Sequence, residues 1–167
     1  MKKLLVLAAV ILGAMSFHPK HAGADEKADL RSVDENPPVI TDGSGRFKAD
    51  IRSDQIDFVL SYDGIATFVR QAHIHVENPS NNGPITVFLC TNLGNTPPGA
   101  QVRLCPQSPG TVEGTIFASD VIMAGNVPGG DLGAVAQILR EGAAYINVHS
   151  DAHPGGEIRG QVSTRKR

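Results

Sequence analysis

The chain has 167 residues, of which 19% are charged and 5% aromatic, with 18 glycines and 11 prolines. This length allows one domain with a sizeable core, and so many turn-forming residues argue against a protein built from long helices. The formal net charge of −2 argues against a nucleic-acid partner, which would need a basic face, and the terminal RKR is too short to reverse this.

The N-terminus has the pattern of a secretory signal peptide. A basic MKK is followed by the apolar run LLVLAAVILGAMSF and by the small residues AGA at 22–24. The apolar run is shorter than the ~20 residues that a spanning helix needs, and no later segment approaches that length. Cleavage after Ala24 would leave 12 basic and 17 acidic residues, a net charge of −5. We expect residues 1–24 to be removed, and the mature protein to be periplasmic or secreted without a membrane span.

The rest of the chain has the pattern of a single β-domain. Residues 25–36 are charged and nearly free of bulky apolar groups, which predicts a flexible lead-in before a domain at 37–164. Short alternating segments then follow one another, each bounded by Gly, Pro, Asn or Asp. They are RFKADI, QIDFVLSY, ATFVRQAHIHV, PITVFLC, TVEGTIF, AAYINVH and EIRGQVS. This succession predicts an all-β sandwich or barrel.

One segment, GDLGAVAQILREG, has helical rather than alternating spacing. Its apolar residues fall on a single helical face: Leu132, Val135, Ala136 and Leu139. Asp131 is a suitable N-cap, and Gly142 is a suitable stop. We therefore expect one short helix in a connection between strands.

Two cysteines, Cys90 and Cys105, bracket a polar Gly/Pro loop. An even number of cysteines in an oxidising compartment predicts a disulfide. A bridge closing a loop of this size contributes ~3 kcal/mol in the chain-entropy model. The alternative is a pair of thiolate metal ligands, but such pairs usually stand two to four residues apart. The disulfide is the better prediction.

The four histidines of the expected mature chain fall into two pairs, HIH at His73 and His75 and HSDAH at His149 and His153. Side chains at i and i+2 of a strand project from one face, so the first pair can converge on one ion. His149 ends a strand, and His153 lies in the following turn, where Pro154 breaks any helix.

If the fold brings the two pairs together, they form a split metal site of three or four imidazoles. Nitrogen ligands without a thiolate suit Cu(II) or Zn(II). The same histidines could instead be half-buried residues that hydrogen bond to a neighbour. The sequence has neither a G-x-S-x-G elbow nor a phosphate-binding glycine loop, so we assign no catalytic residue and expect a non-enzymatic protein.

The stretch PGGEIRG has a structural interpretation. Gly155 and Gly156 follow a proline in a tight turn, where glycine allows positive φ values. Glu157 and Arg159 share a strand face and can form an ion pair with each other or pair across the sheet. Gly160 indicates a bulge or a close approach by another backbone. We expect this element to be mainly architectural.

Three stretches, ENPPVITDGSGRF, AHIHVENPSNNGPITVFL and GAAYINVHSDAHPGGEIRGQV, resemble in order the motifs of the CHRD domain, named after the developmental protein chordin. That domain also occurs alone in exported bacterial proteins. The resemblance runs from about residue 32 to 162 and implies an immunoglobulin-like or Greek-key β-sandwich. His73, His75 and His149 match recurrent positions of the family, whereas the position of His153 is variable. The biochemical role of the family is poorly defined.

The leading hypothesis is an exported, non-enzymatic CHRD β-sandwich that binds a transition metal, copper in preference to zinc, through the paired histidines. One alternative is a metal-free extracellular module that contacts a protein or glycan or is purely structural. Another is a copper enzyme of superoxide-dismutase type, for which the histidines are the only support. The acidic net charge does not favour steering of an anionic substrate.

Overall fold

The computed structural model describes residues 25–164, which form nine strands, one α-helix and two short 3-10 turns. The strands are β1 Asp25–Arg31, β2 Ser44–Ile51, β3 Ile56–Asp63, β4 Val69–Val76, β5 Ile85–Thr91, β6 Gly110–Ile116, β7 Ala144–Ser150, β8 Ile158–Gln161 and β9 Ser163–Thr164. Helix α1 spans Leu132–Arg140, and the 3-10 turns are Ser32–Asp34 and Ala118–Asp120. No helix in this part of the chain is long and apolar enough to cross a membrane.

The strands form one antiparallel sheet in the order β5-β4-β7-β8-β1-β2-β3-β6, with β9 added beside β1. Strands β8 and β1 pair only at Arg31 and Arg159, so the sheet divides there into two four-stranded halves. Its end strands β5 and β6 contact each other, so the sheet curls nearly closed around one core. The predicted all-β sandwich with one short helix is confirmed.

The core is built by the alternation that predicted the strands. Inward positions of β2 and β3 are buried: Phe47, Ala49, Ile51, Ile56, Phe58, Leu60 and Tyr62. Removing one large apolar side chain of this kind from water stabilises the fold by about 1.5–3 kcal/mol. Helix α1 begins as predicted, because the Asp131 side chain accepts a hydrogen bond from the Ala134 N–H at 2.8 Å. On its predicted apolar face, Val135, Ala136 and Leu139 are buried in the same core, and the partly buried Leu132 packs against it.

Strand β1 corrects the expected flexible lead-in at 25–36. It lies between β8 and β2 in the middle of the sheet, with Ala28 and Leu30 only 2% and 1% exposed. Charged residues occupy most of its other positions, and this gave the segment the composition of a disordered tail. The domain therefore includes β1 as well as the residues from 37 onward. The predicted signal peptide, 1–24, lies outside the described residues.

The cysteines form the predicted disulfide between β5 and the loop that follows it. Cys90 and Cys105 are joined, with their Cα atoms 5.0 Å apart. The same loop pairs with the outer edge of β5, since the Thr91 N–H donates to the Arg103 carbonyl at 2.9 Å. The bridge and this hydrogen bond together cover an edge that would otherwise be open to another strand.

The outer face of β4, β7 and β8 is also buried, and this determines where a site can form. All seven residues of β7 are buried. Ile146 and Val148 point into the core, so Tyr145, Asn147 and His149 point to the opposite face. Side chains and backbone from the loops at 35–36, 81–83 and 153–156 cover that face. The result is a second, polar buried layer outside the sandwich.

The glycines of PGGEIRG differ in how much space they have. A Cβ on Gly160 would overlap the Asp29 carbonyl oxygen, which confirms the predicted close approach of another backbone. A Cβ on Gly155 would meet no atom within 4 Å, and only Gly156 of the pair has a positive φ, 131°. Close packing of β8 against β1 therefore requires glycine at 160 but not at 155.

We predict that Gly160→Ala lowers the free energy of unfolding by about 1–3 kcal/mol, because the added methyl group must displace backbone. The matched variant Gly155→Ala should be neutral or should stabilise the fold by up to about 1 kcal/mol, because alanine lowers the conformational entropy of the unfolded chain. Urea unfolding of both variants measures the difference. Equal midpoints for the two would contradict the close β1–β8 approach.

Candidate metal centre

The pairing of β4 with β7 brings three of the predicted histidines together. His73 lies opposite Asn147 and Gln71 opposite His149, so His73, His75 and His149 share the outer face of the sheet. One ring nitrogen from each of the three lies within 4.8 Å of the others, and Nδ1 of His73 is 3.1 Å from Nε2 of His149. An ion bound about 2 Å from each nitrogen requires separations below about 4 Å, so small ring rotations would complete the site.

His153, the fourth predicted ligand, is not part of this group. It lies in the turn after β7, where its backbone N–H donates to Oγ of Ser150 at 3.1 Å. Its carbonyl accepts the backbone N–H groups of Ser150 and Gly156. Because the chain reverses between His149 and His153, their spacing of four does not put the two rings on one face.

Two of the clustered rings are oriented by backbone carbonyls. Nδ1 of His75 donates to the Gly83 carbonyl at 2.8 Å, and Nδ1 of His149 donates to the Pro154 carbonyl at 3.0 Å. A carbonyl can only accept, so both hydrogens sit on Nδ1 in the neutral rings, and each Nε2 presents a lone pair to the cluster. Metal-ligating histidines commonly have such a carbonyl partner on the other nitrogen.

Burial keeps the three rings neutral. Burial, reinforced by the nearby histidines, lowers the pKa of His73 to about 2. Burial lowers the pKa of His75 to about 4, although the hydrogen bond to the Gly83 carbonyl opposes the change. Burial also lowers the pKa of His149, although the hydrogen bond to the Pro154 carbonyl opposes the change. Metal ligation requires neutral imidazoles, so the cluster is in the binding form at neutral pH.

The cluster also contains buried polar atoms that protein groups do not satisfy. Within residues 25–164, Nε2 of His73 and Nε2 of His75 have no hydrogen-bond partner. An unsatisfied buried polar group costs about 1–3 kcal/mol, so such atoms usually have a ligand or a bound species. Three rings that place a nitrogen within 4.8 Å of one another, two of them with an unpartnered nitrogen, therefore fit a metal ion.

Aromatic side chains hold the rings in place and shield them from water. Tyr145 stacks on His75 with the ring planes 8° apart and the centroids 4.6 Å apart. The guanidinium carbon of Arg159 lies 3.4 Å from the Tyr145 centroid, on which it makes a cation–π contact. Phe88 meets His73 edge to face at 4.4 Å. Packing against Tyr145 and Phe88 thus limits the rings of His75 and His73 to small rotations.

Glu157 and Arg159 do not form the ion pair with each other that the sequence suggested. Glu157 accepts the Ala66 N–H at 2.8 Å and the Ser150 hydroxyl. Arg159 donates to the Asn81 carbonyl at 2.7 Å and to Oδ1 of Asn82 at 3.1 Å. Glu157 precedes β8, so the alternation of the strand does not govern its direction. Each side chain instead holds a different loop against the sheet.

Asn147 and Glu35 belong to the site but are not among the residues predicted from the sequence. Oδ1 of Asn147 is 3.0 Å from Nε2 of His149. Burial raises the pKa of Glu35 to about 7, opposed by the charge of Arg159 and by hydrogen bonds that include one to the Asn147 side chain. Counting back two residues from His149 along the strand identifies Asn147. Glu35 is the first residue of the family-like stretch ENPPVITDGSGRF, but nothing in that stretch indicates that its side chain reaches Asn147.

We predict that the metal-free protein loses stability as the pH falls from 6.5 towards 4.5. Unfolded histidines take up protons near pH 6.5, whereas the folded His73, His75 and His149 bind them only at lower pH. Each such histidine therefore raises the unfolding equilibrium constant by about tenfold for each unit by which the pH falls in this range. Glu35 acts in the opposite sense, because its folded pKa lies above the unfolded value of 4.5.

Urea unfolding of the metal-free protein between these pH values measures the net slope. The slope should become shallower in His75→Gln, which removes one of the contributing groups. An identical slope in this variant would show that His75 does not resist protonation in the folded state.

Comparison with known proteins identifies the family of the chain. No curated protein matches the chain. The family model of the CHRD domain matches residues 27–162, a span that includes the three clustered histidines, Asn147 and Glu35. Since the match covers most of the chain, the protein belongs to the CHRD domain family.

Proposed function

We propose that this CHRD domain is exported, binds one transition-metal ion through His73, His75 and His149, and does not act as an enzyme. The observation that carries the proposal is the convergence of three buried, neutral imidazoles, two of which have an unpartnered Nε2. Carbonyl anchors on His75 and His149 support it, because each leaves the Nε2 lone pair of its ring available to a metal.

Copper is favoured over zinc by the chemistry of the donors. Imidazole nitrogens suit both ions, and a site of given nitrogen ligands binds Cu(II) more tightly than Zn(II). The group contains neither a thiolate nor a carboxylate. Where both ions are available, the higher affinity of the imidazole nitrogens for Cu(II) therefore favours copper.

Binding without turnover is supported by the enclosure of the cluster. Catalytic metal sites keep an open position for water or substrate. Here His73 is 1% exposed and His75 is 7% exposed, and the rings of Phe88 and Tyr145 lie against them. Export is supported by the signal-peptide pattern at 1–24 and by the Cys90–Cys105 disulfide, since such bridges persist in oxidising compartments.

We predict that the purified protein retains about one copper ion per chain after gel filtration. His75→Ala and His149→Ala should each weaken the affinity for copper and for zinc by more than about 100-fold. Losing a ligand should cost more than losing an outer hydrogen-bond partner, which typically costs 10–100-fold. Competition titration against a chromophoric chelator measures the affinities.

His153→Ala is the matched control, because this histidine lies outside the cluster. The His153→Ala protein should bind copper and zinc as tightly as the unmodified protein does. Circular dichroism of each variant establishes that the fold is retained. If the unmodified protein retains no metal, or if His153→Ala weakens binding as much as His149→Ala, the proposal fails.

A further inference from the structure

The carboxamide of Asn147 faces the histidine cluster with its oxygen. Oδ1 lies 3.0 Å from Nε2 of His149. On the neighbouring strand, Asn147 is directly opposite His73. The oxygen therefore lies beside the ring of His149, on the sheet face that the three histidines share.

Glu35 explains why the oxygen rather than the amide nitrogen faces inward. In its ionised form the Glu35 carboxylate can only accept, so its hydrogen bond with the Asn147 side chain then comes from the NH₂ group. Gly156 allows this approach, because a Cβ there would overlap the Glu35 carboxylate. The charge of Arg159 acts on Glu35 and favours its ionised form. The orientation of the amide is thus determined from outside the cluster.

This orientation leaves more acceptors than hydrogens at the centre. Nε2 of His149 presents a lone pair, because its Nδ1 hydrogen is donated to the Pro154 carbonyl. Oδ1 of Asn147 presents another at 3.0 Å, and one donor, Nδ1 of His73, lies 3.1 Å from the same Nε2. One hydrogen cannot satisfy both acceptors in this geometry. A cation between them would satisfy both.

We propose that Asn147 supplies a fourth, oxygen ligand to the three-histidine site, and that Glu35 is the positioning residue that keeps this oxygen turned inward. The inference rests on the proposed metal binding. Three imidazoles and one carbonyl oxygen make the four-coordinate set that divalent zinc adopts, and imidazole and oxygen donors also suit Cu(II). Without Glu35 the amide can rotate, donate its N–H to Nε2 of His149 and block that ligand atom.

The test compares Zn(II) and Cu(II) affinities of the full domain in four variants. Asn147→Leu should weaken both by about 10–100-fold, whereas Asn147→Asp, which places a carboxylate oxygen at the same point, should bind at least as tightly as the unmodified protein. Glu35→Ala should weaken binding by about tenfold, and Glu35→Gln should lie between Glu35→Ala and the unmodified protein because its carbonyl can still accept the amide hydrogen.

Electron paramagnetic resonance of the Cu(II)-loaded proteins gives an independent readout. Replacing Asn147 by Asp should change the copper hyperfine splitting, since the charge of a ligand changes, whereas a residue with a purely structural role would leave the splitting unchanged. The Glu35 variants leave all four ligands in place, so they test the inference even if a substitution at 147 does not fold.

The outcomes separate the two proposals. Unchanged affinity in Asn147→Leu or Glu35→Ala, with binding lost in His75→Ala, would overturn the inference and leave the metal site standing. Equal weakening in Asn147→Asp and Asn147→Leu would also overturn the ligand role of Asn147. If the unmodified protein binds neither ion, both proposals fail.

Discussion

The desolvation of a polar sheet face is the constraint on which the rest of this structure depends. A β-sandwich usually leaves the outer face of each sheet to water, and alternation of polar and apolar residues reflects that arrangement. Here the outer face of β4, β7 and β8 carries three histidines, an asparagine, a tyrosine and an arginine, all of them buried. Such burial is costly unless the polar atoms find partners. Loop carbonyls supply partners for one nitrogen of His75 and of His149, and a metal ion would supply the partner for the other.

The segment PGGEIRG serves this buried layer rather than the turn alone. Gly156 makes room for Glu35, and Arg159 provides both the charge beside Glu35 and the cation that stacks on Tyr145. Through Tyr145 the same arginine helps to fix the ring of His75. Its bonds to Asn81 and Asn82 hold the covering loop in place. Residues of PGGEIRG therefore contribute both to the architecture of the domain and to the enclosure of the histidine cluster.

The strands, the helix and the disulfide could be predicted from the sequence because each depends on local pattern: alternation, a helical stripe, or an even cysteine count. Strand order could not be predicted, because no local pattern in the sequence of β4 indicates that the distant strand β7 is its partner. For the same reason the meeting of His73 and His75 with His149 remained a hypothesis until the register was known. β1 was missed because its charged outward positions outnumber Ala28 and Leu30. Glu35 was missed because its role arises only where the loop that carries it reaches Asn147.

The central claim is that the three histidines meet in order to hold one metal ion. A crystal structure of the copper-loaded protein, with anomalous scattering measured at the copper edge, tests it most directly. The account predicts a single anomalous peak about 2 Å from a nitrogen of each of His73, His75 and His149. A peak at His153 or elsewhere on the surface, with none among the three buried rings, would contradict it.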